Sequence, residues 1–268
     1  MRAMQLVAGS KLKRTQNKMV QGRAVLGFLD GLLQRVLAST KELKHPLCSA
    51  RDTGAPALVL LTSDTGLCGS YNTNLISQAE NYLRRDTSKP PHLIYIGKKG
   101  HRYFTKRGYA ALDAHLNLAG RPNAEKAEAI AKGLIERFLK GELASVDILF
   151  STFKSATVYR PVIWRWLPIQ LEQQSEDLSK QPASDYIFEP SLKAVFEDLL
   201  PRWAIAKFQL AMLEAFTSEH SARMIAMKNA TDNAQVILKE LTLQRNRIRQ
   251  AGITKEISEI VGTAEALK

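Results

Sequence analysis

All ten prolines of this 268-residue chain lie between Pro46 and Pro201. Residues 1–45 and 202–268 contain none, and the second stretch holds just two glycines, Gly252 and Gly262. Proline inside a helix costs about 3 kcal/mol, so both ends are free to run as long, uninterrupted helices. A helix of roughly 60 residues is on the order of 90 Å long. A domain of this size cannot bury such a rod. It must protrude, pair with another helix or enter a partner.

The N-terminal end has the periodicity to pair. Leu12, Met19, Leu26 and Leu33 recur every seven residues, with Thr15, Gly22, Leu29 and Val36 between them in alternating 3–4 spacing. That is a heptad seam. The C-terminal end carries a second seam: Leu213, Phe216, His220, Arg223, Met227, Ala230, Ala234, Ile237, Leu241, Gln244, Ile248 and Ala251. Its small members allow close approach, and its polar members weaken it as a sealed core. The expectation is an intramolecular antiparallel coiled coil, with the first seam facing the region of Ala230, Ile237 and Leu241.

The middle alternates short apolar runs with helical patterns. Residues 57–62, 92–97 and 146–151 read as strands, and 158–169 as an extended stretch interrupted by Pro161 and Pro168. Residues 72–85, 98–107 and 123–140 read as helices, and the polar, proline-bearing 170–190 as a connecting loop. Alternation of this kind predicts an α/β body with a mostly parallel sheet.

Net charge is +12, and residues 1–50 alone carry nine basic and two acidic side chains. Such an excess suits an acidic partner surface, nucleic acid or anionic lipid, without choosing among them. No apolar run approaches the ~18–20 residues of a membrane span. No secretory h-region follows Met1, and two cysteines, Cys48 and Cys68, suit a reducing compartment.

Candidate chemistry is sparse. The turn holding Asp64, Gly66, Cys68 and Gly69 follows the first strand, where a doubly wound sheet would hold a phosphate. It lacks both G-x-G-x-x-G and the G-K-[ST] ending of a P-loop, so it reads as a structural turn and no cofactor is expected. Cys68 has no histidine near it in sequence to make it a nucleophile. The five histidines show no metal-ligand spacing. Two other classes remain open on these grounds. One is a Rossmann-like nucleotide-dependent enzyme; the other is a coiled-coil nucleic-acid-binding protein using the basic first helix.

Three stretches carry a family resemblance: RAMQLVAGSKL at 2–12; SDTGLCG at 63–69, with Asn72 and Asn74 after it; and SARMIAMKNATDN at 221–233, followed by ITKEISEIV at 253–261. In this order they resemble the gamma subunit of F-type ATP synthase. The resemblance implies a Rossmann-like α/β domain without nucleotide and an antiparallel coiled coil of the two terminal helices. The implied division is 1–45 N-terminal coiled-coil helix, 46–190 Rossmann-like domain and 191–268 C-terminal coiled-coil helix. It implies a non-catalytic rotor shaft that couples ion flow through the c-ring to ATP synthesis or hydrolysis in the alpha–beta ring. Expected partners are the alpha, beta and epsilon subunits (delta in mitochondria) and the c-ring, with no nucleic acid. The expected place is peripheral, on the cytoplasmic face of the bacterial inner membrane.

The resemblance also implies ring-contact residues: Met4, Arg223 and Met227 at one level, and Arg249, Gln250, Thr254 and Glu256 at another. Two departures stand out. The family carries roughly twenty further residues ahead of the Ala-Met motif, some 30 Å of helix, so the first helix is expected to be short here. Thr65 stands where the family has a basic residue.

Overall fold

The computed structural model describes residues 1–39, 44–51, 53–85, 90–118, 120–170 and 188–266. In chain order the elements are α1 (Arg2–Ser39), β1 (Ala55–Leu61), α2 (Tyr71–Arg85), β2 (His92–Ile96), α3 (Lys98–Thr105), β3 (Ala111–His115), α4 (Ala124–Leu139), β4 (Leu143–Phe153), β5 (Tyr159–Leu167) and α5 (Leu192–Ala266). Most of the expected 170–190 connection lies outside the described residues.

The five strands form one sheet in the order β3-β2-β1-β4-β5. The pairs β1–β2, β1–β4 and β2–β3 are parallel, and β4–β5 is antiparallel. The central strand β1 is buried on both faces, which explains its unbroken apolar run. Side chains alternate between two cores. Val59, Leu61, Ile94, Ile96, Ile148 and Phe150 face α1, α4 and α5. Leu58, Leu60, Leu93, Tyr95 and Leu149 face α2 and α3. Asn123 caps α4 by accepting from the Lys126 N–H at 2.9 Å.

One element differs from the sequence reading. β3 is a five-residue edge strand that the pattern did not reveal, because its alternation is weak and its first two residues are exposed. α5 starts before Pro201 and runs through it. Proline there forfeits one helical hydrogen bond. Phe196 and Leu200 before it and Trp203 and Ala204 after it are all buried, so tertiary packing holds both turns in line.

α1 and α5 pack antiparallel. Ala8, Leu12, Thr15, Met19, Leu33 and Val36 are buried on α1, and Gly22, Leu26 and Leu29 are half-buried. That is the heptad stripe, extended one step toward the N-terminus. Its partner is not the one expected. Leu12 and Met19 cluster with Leu210, Leu213 and Met224. The Trp203 indole N–H donates to Asp30, and Arg23 bonds Glu214 at 2.8 Å. Each step forward on α1 is thus a step back on α5, and residue 230 lies level with the first turn of α1. Ile237 and Leu241 lie beyond it and are exposed. The expected pairing of the first seam with Ala230, Ile237 and Leu241 is therefore corrected to the segment 203–224. The heptad pattern defined which stripe is buried but could not supply the register, which polar ties to the body impose.

Candidate functional site: the helix joint and the exposed stalk

The turn after β1 sits against α5, and its contacts explain its sequence. The Ser63 N–H donates to Asn72 Oδ1 at 3.0 Å, and the Ser63 hydroxyl donates to the Thr65 carbonyl at 2.6 Å. The Asn72 amide donates to Ser63 Oγ at 2.7 Å and to Cys68 Sγ at 3.1 Å. Asp64 Oδ1 accepts from the N–H groups of Lys98 and Asn117, each at 3.1 Å, which ties the turn to α3 and to the segment after β3. Leu67 and Gly69 have positive φ, 62° and 56°. Positive φ is what calls for glycine at 69, since a Cβ there would meet that of Ala226 at an ordinary contact distance of 3.9 Å. Cys68 is buried, and burial pushes its thiol pKa up, so it behaves as a packing group.

Arg223 fills the crevice at the end of the sheet. Its Nε donates to the Gly66 carbonyl at 3.3 Å, and its Nη2 to the carbonyl and hydroxyl of Thr65 at 3.2 and 3.0 Å. Nη2 also pairs with Glu219 at 2.8 Å. This is the place where a doubly wound sheet binds phosphate through backbone N–H groups. Here the turn offers carbonyl oxygens to a cation, the opposite polarity. That arrangement clamps a helix to the body and leaves those carbonyls occupied.

His220 completes the joint. One ring nitrogen, Nε2, donates to the Gly120 carbonyl at 2.9 Å, leaving Nδ1 to accept from Arg223 at 3.4 Å. Burial lowers its pKa to about 4, so the ring is neutral and this tautomer is the one that satisfies both neighbours. Burial also raises the Glu219 pKa, opposed by Arg223 beside it. From the other side, the Tyr71 hydroxyl donates to the Ala215 carbonyl at 3.0 Å.

The expected contact residues fall into two groups. Arg223 and Met227 are turned inward: the Arg223 side chain is 11% exposed, and Met227 is buried. Met4, on the first turn of α1, is 44% exposed. Arg249, Gln250, Thr254 and Glu256 are all exposed on the outer part of α5, where nearly every residue from 232 to 266 is exposed. The apolar side chains Ile237, Leu241, Ile248, Ile253, Ile257 and Ile260 are exposed there too. Sequence reasoning missed Glu219 and His220 as the partners that hold Arg223. The signal was available: Glu219 and Arg223 are four apart on one helix face. Among the described residues no cluster of His, Cys, Asp and Glu is placed to hold a metal ion. No helix among them is long and apolar enough to cross a membrane.

Fold and joint together define a class: a small body on a mostly parallel sheet whose terminal helices join on it and project as a stalk. The family model described as ATP synthase matches residues 1–267. The ATP synthase gamma chain of Desulforamulus reducens is 39% identical over 267 residues, covering all of this chain and 93% of that one. That of Symbiobacterium thermophilum is 40% identical over 269 residues, covering all of this chain and 92% of its own. The central stalk of the Tetrahymena thermophila mitochondrial ATP synthase shares the fold at a TM-score of 0.64 and 23% identity, covering 86% of this chain and 98% of that one. A chain of the Euglena gracilis enzyme does so at 0.60 and 19%, covering 100% and 95%. The chain belongs to the ATP synthase gamma-chain family, and is a subunit of that complex and not its catalyst.

Proposed function

We propose that this chain is the central shaft of an F-type ATP synthase, coupling ion flow through the c-ring to ATP synthesis or hydrolysis in the ring of alpha and beta subunits. The carrying observation is the continuity of α5. One helix of 75 residues, on the order of 110 Å, starts in the body core at Leu192 and ends at the exposed tip. A turn applied to the body is delivered at the stalk through the Arg223–Glu219–His220 joint without an intervening loop.

Met4, Arg249, Gln250, Thr254 and Glu256 are the side chains the stalk presents to the ring. Exposed charged and amide groups on the outer helix support that reading, because directional contacts differ at each angle of rotation. Arg223 and Met227 serve the same coupling from inside, by fixing the angle between stalk and body. Epsilon and the c-ring are the partners of the body end, and the assembly sits peripherally on the cytoplasmic face of the membrane. The basic first helix suits acidic loops of the ring.

The test is reconstitution of the full chain with alpha and beta subunits on membranes stripped of the native shaft. Restored ATP turnover together with ATP-driven ion pumping is expected. Turnover without pumping at any ratio of subunits would overturn the shaft reading.

A further inference from the structure

At the end of the body remote from the stalk tip, residues 44–51 lead into β1 and border an open pocket of about 460 Å³, lined by Lys44, His45, Pro46, Ser49, Ala50 and Arg51. Every charged side chain in the lining is cationic or, for His45, a potential cation. The base of the pocket is firmly held. The Ile169 N–H donates to the Leu47 carbonyl at 2.7 Å, and Leu47 is fully buried. The Leu47 N–H donates to His45 Nδ1 at 3.1 Å, so the other ring nitrogen carries the proton of the neutral ring. The His45 ring is set edge-on to Phe196 at 6.0 Å. Glu197 is the acidic neighbour whose field reaches His45, and it does not line the pocket.

Arg51 is the organised element. Its guanidinium lies over the Phe138 ring at 5.2 Å, and its Nε is sealed from solvent with no hydrogen-bond partner among the described residues. A cation stacked on an aromatic ring, with no carboxylate paired to it among the described residues, is preorganised for an oxyanion and retains its charge for one. Lys44 beside it is exposed.

We infer that this pocket binds a phosphate-class oxyanion, held by Arg51 and Lys44 with His45 as a neutral donor. The two terminal nitrogens of the Arg51 guanidinium fit two oxygens of one phosphate, and the imidazole N–H of His45 fits a third. The pocket is large enough for a phosphate group and its ester carbons. The oxyanion has two sources: free inorganic phosphate, or the phosphodiester of an anionic lipid headgroup. The second source rests on the shaft reading, which puts this end of the body toward the membrane.

Titration of the full chain with inorganic phosphate, followed by calorimetry, tests the first source. Flotation with phosphatidylglycerol vesicles against phosphatidylcholine vesicles tests the second. The Lys44→Ala/Arg51→Gln double variant is compared with Lys98→Ala/Lys106→Ala, which removes two exposed cations elsewhere on the body. Lys44→Ala alone, at an exposed side chain, guards against misfolding. Saturable phosphate binding weakened at least tenfold in the pocket variant and retained in the control assigns the site to free phosphate. The same pattern with vesicles alone assigns it to the headgroup. No binding in either arm, or equal loss in both double variants, overturns the proposal. These readouts are of binding, so failure here leaves the shaft reading, judged by turnover and pumping, intact.

Discussion

Arg23 on α1 places its Nη2 2.8 Å from Oε1 of Glu214 on α5, 191 positions further along the chain. The same guanidinium donates to the Phe153 carbonyl at 2.9 Å, and the second oxygen of Glu214 accepts from the Thr152 hydroxyl and the Phe153 N–H. One carboxylate, 5% exposed, thus ties both stalk helices to β4. This tie sets the register that the apolar seam leaves open, since a heptad seam tolerates a slide of seven residues and a buried carboxylate that must keep its counter-charge does not.

Removing the arginine strands that carboxylate. Arg23→Met is expected to lower unfolding stability by about 2–3 kcal/mol, because Glu214 keeps two hydrogen bonds but loses its counter-charge. Arg23→Lys should recover less than half, since a point charge cannot reach Glu214 and Phe153 together. Urea denaturation of the two variants measures both. Equal stability of wild type and Arg23→Met would remove this pair as the register lock.

The observed register makes a crosslinking prediction. The Cβ of a residue at Gly22 would lie 3.3 Å from the Leu213 side chain. Cysteines at Gly22 and Leu213 should be joined within one chain by a short bifunctional thiol reagent, and cysteines at Leu26 and Ile237 should not. Native Cys48 and Cys68 interfere little, because burial raises both thiol pKa values, that of Cys48 to about 11. Crosslinking of the second pair within one chain would show that the helices slide.

Much of this was legible in the sequence, and the reasons differ by element. The proline-free ends and the Leu12–Met19–Leu26–Leu33 stripe revealed two long helices, because helix breakers and heptads act locally. β1 showed itself as an apolar run because both its faces are buried. β3 did not, because an edge strand such as 111–115 borrows its stability from β2 and needs little apolar pattern of its own. The start of α5 ahead of Pro201 came with the family resemblance and not from the proline pattern, because burial of Trp203 and Phe196, a tertiary effect, overrides the local cost of proline. The turn at 63–69 was recognisable as a motif, but its role as a carbonyl socket for Arg223 depends on residues more than 150 positions away.

Two glycines give opposite expectations. Gly97 has φ 101°, and a side chain there would collide with the Thr62 carbonyl oxygen. Gly97→Ala should cost at least about 2–3 kcal/mol from strained backbone and contact together. Gly133 lies inside α4 with open space where its Cβ would be. Gly133→Ala should stabilise by about 0.5–1 kcal/mol through helix propensity alone. Thermal melts of both variants decide the matter, and a Tm for Gly97→Ala at or above wild type would contradict the described turn.

The joint carries a pH dependence with a definite sign. His220 titrates near 6.5 when unfolded and at about 4 in the folded chain. Below pH 6.5 the unfolded state takes a proton that the folded state refuses, so the His220 contribution falls as pH drops from 6.5 to about 4 and levels off below that. The full loss is on the order of 3 kcal/mol. The raised pKa of Glu219 acts in the opposite sense, its contribution weakening as pH rises through the carboxylate range. Comparing wild type with His220→Gln isolates the first effect. The stability gap between them should narrow from pH 7 to pH 4, and a constant gap would mean that folding leaves the pKa of the ring unshifted.

The outer stalk carries the prediction closest to function. Arg249, Gln250, Thr254 and Glu256 are exposed on a segment of α5 that no other described part of this chain covers. Their hydrogen bonds within the chain are few: the Thr254 hydroxyl donates to the Gln250 carbonyl at 2.9 Å, and Lys255 pairs weakly with Glu259 at 3.7 Å. Exposed helix pairs of this kind contribute a few tenths of a kcal/mol, so changing these side chains leaves folding nearly untouched. Any effect on the assembled machine therefore reports on contacts with the ring. Rotation needs contacts that differ with angle. A charged or amide group supplies them, each worth roughly 0.5–3 kcal/mol, whereas an apolar surface of the same size slips. Arg249→Leu with Gln250→Leu should lower ATP turnover several-fold in the reconstituted complex while leaving ring assembly and the melting temperature of the free chain unchanged. Arg223→Ala should behave differently, lowering the stability of the chain itself by removing the Glu219 counter-charge and the clamp on Thr65 and Gly66. Unchanged turnover and unchanged ion pumping in the Arg249–Gln250 double variant would mean that the ring grips the stalk at other side chains.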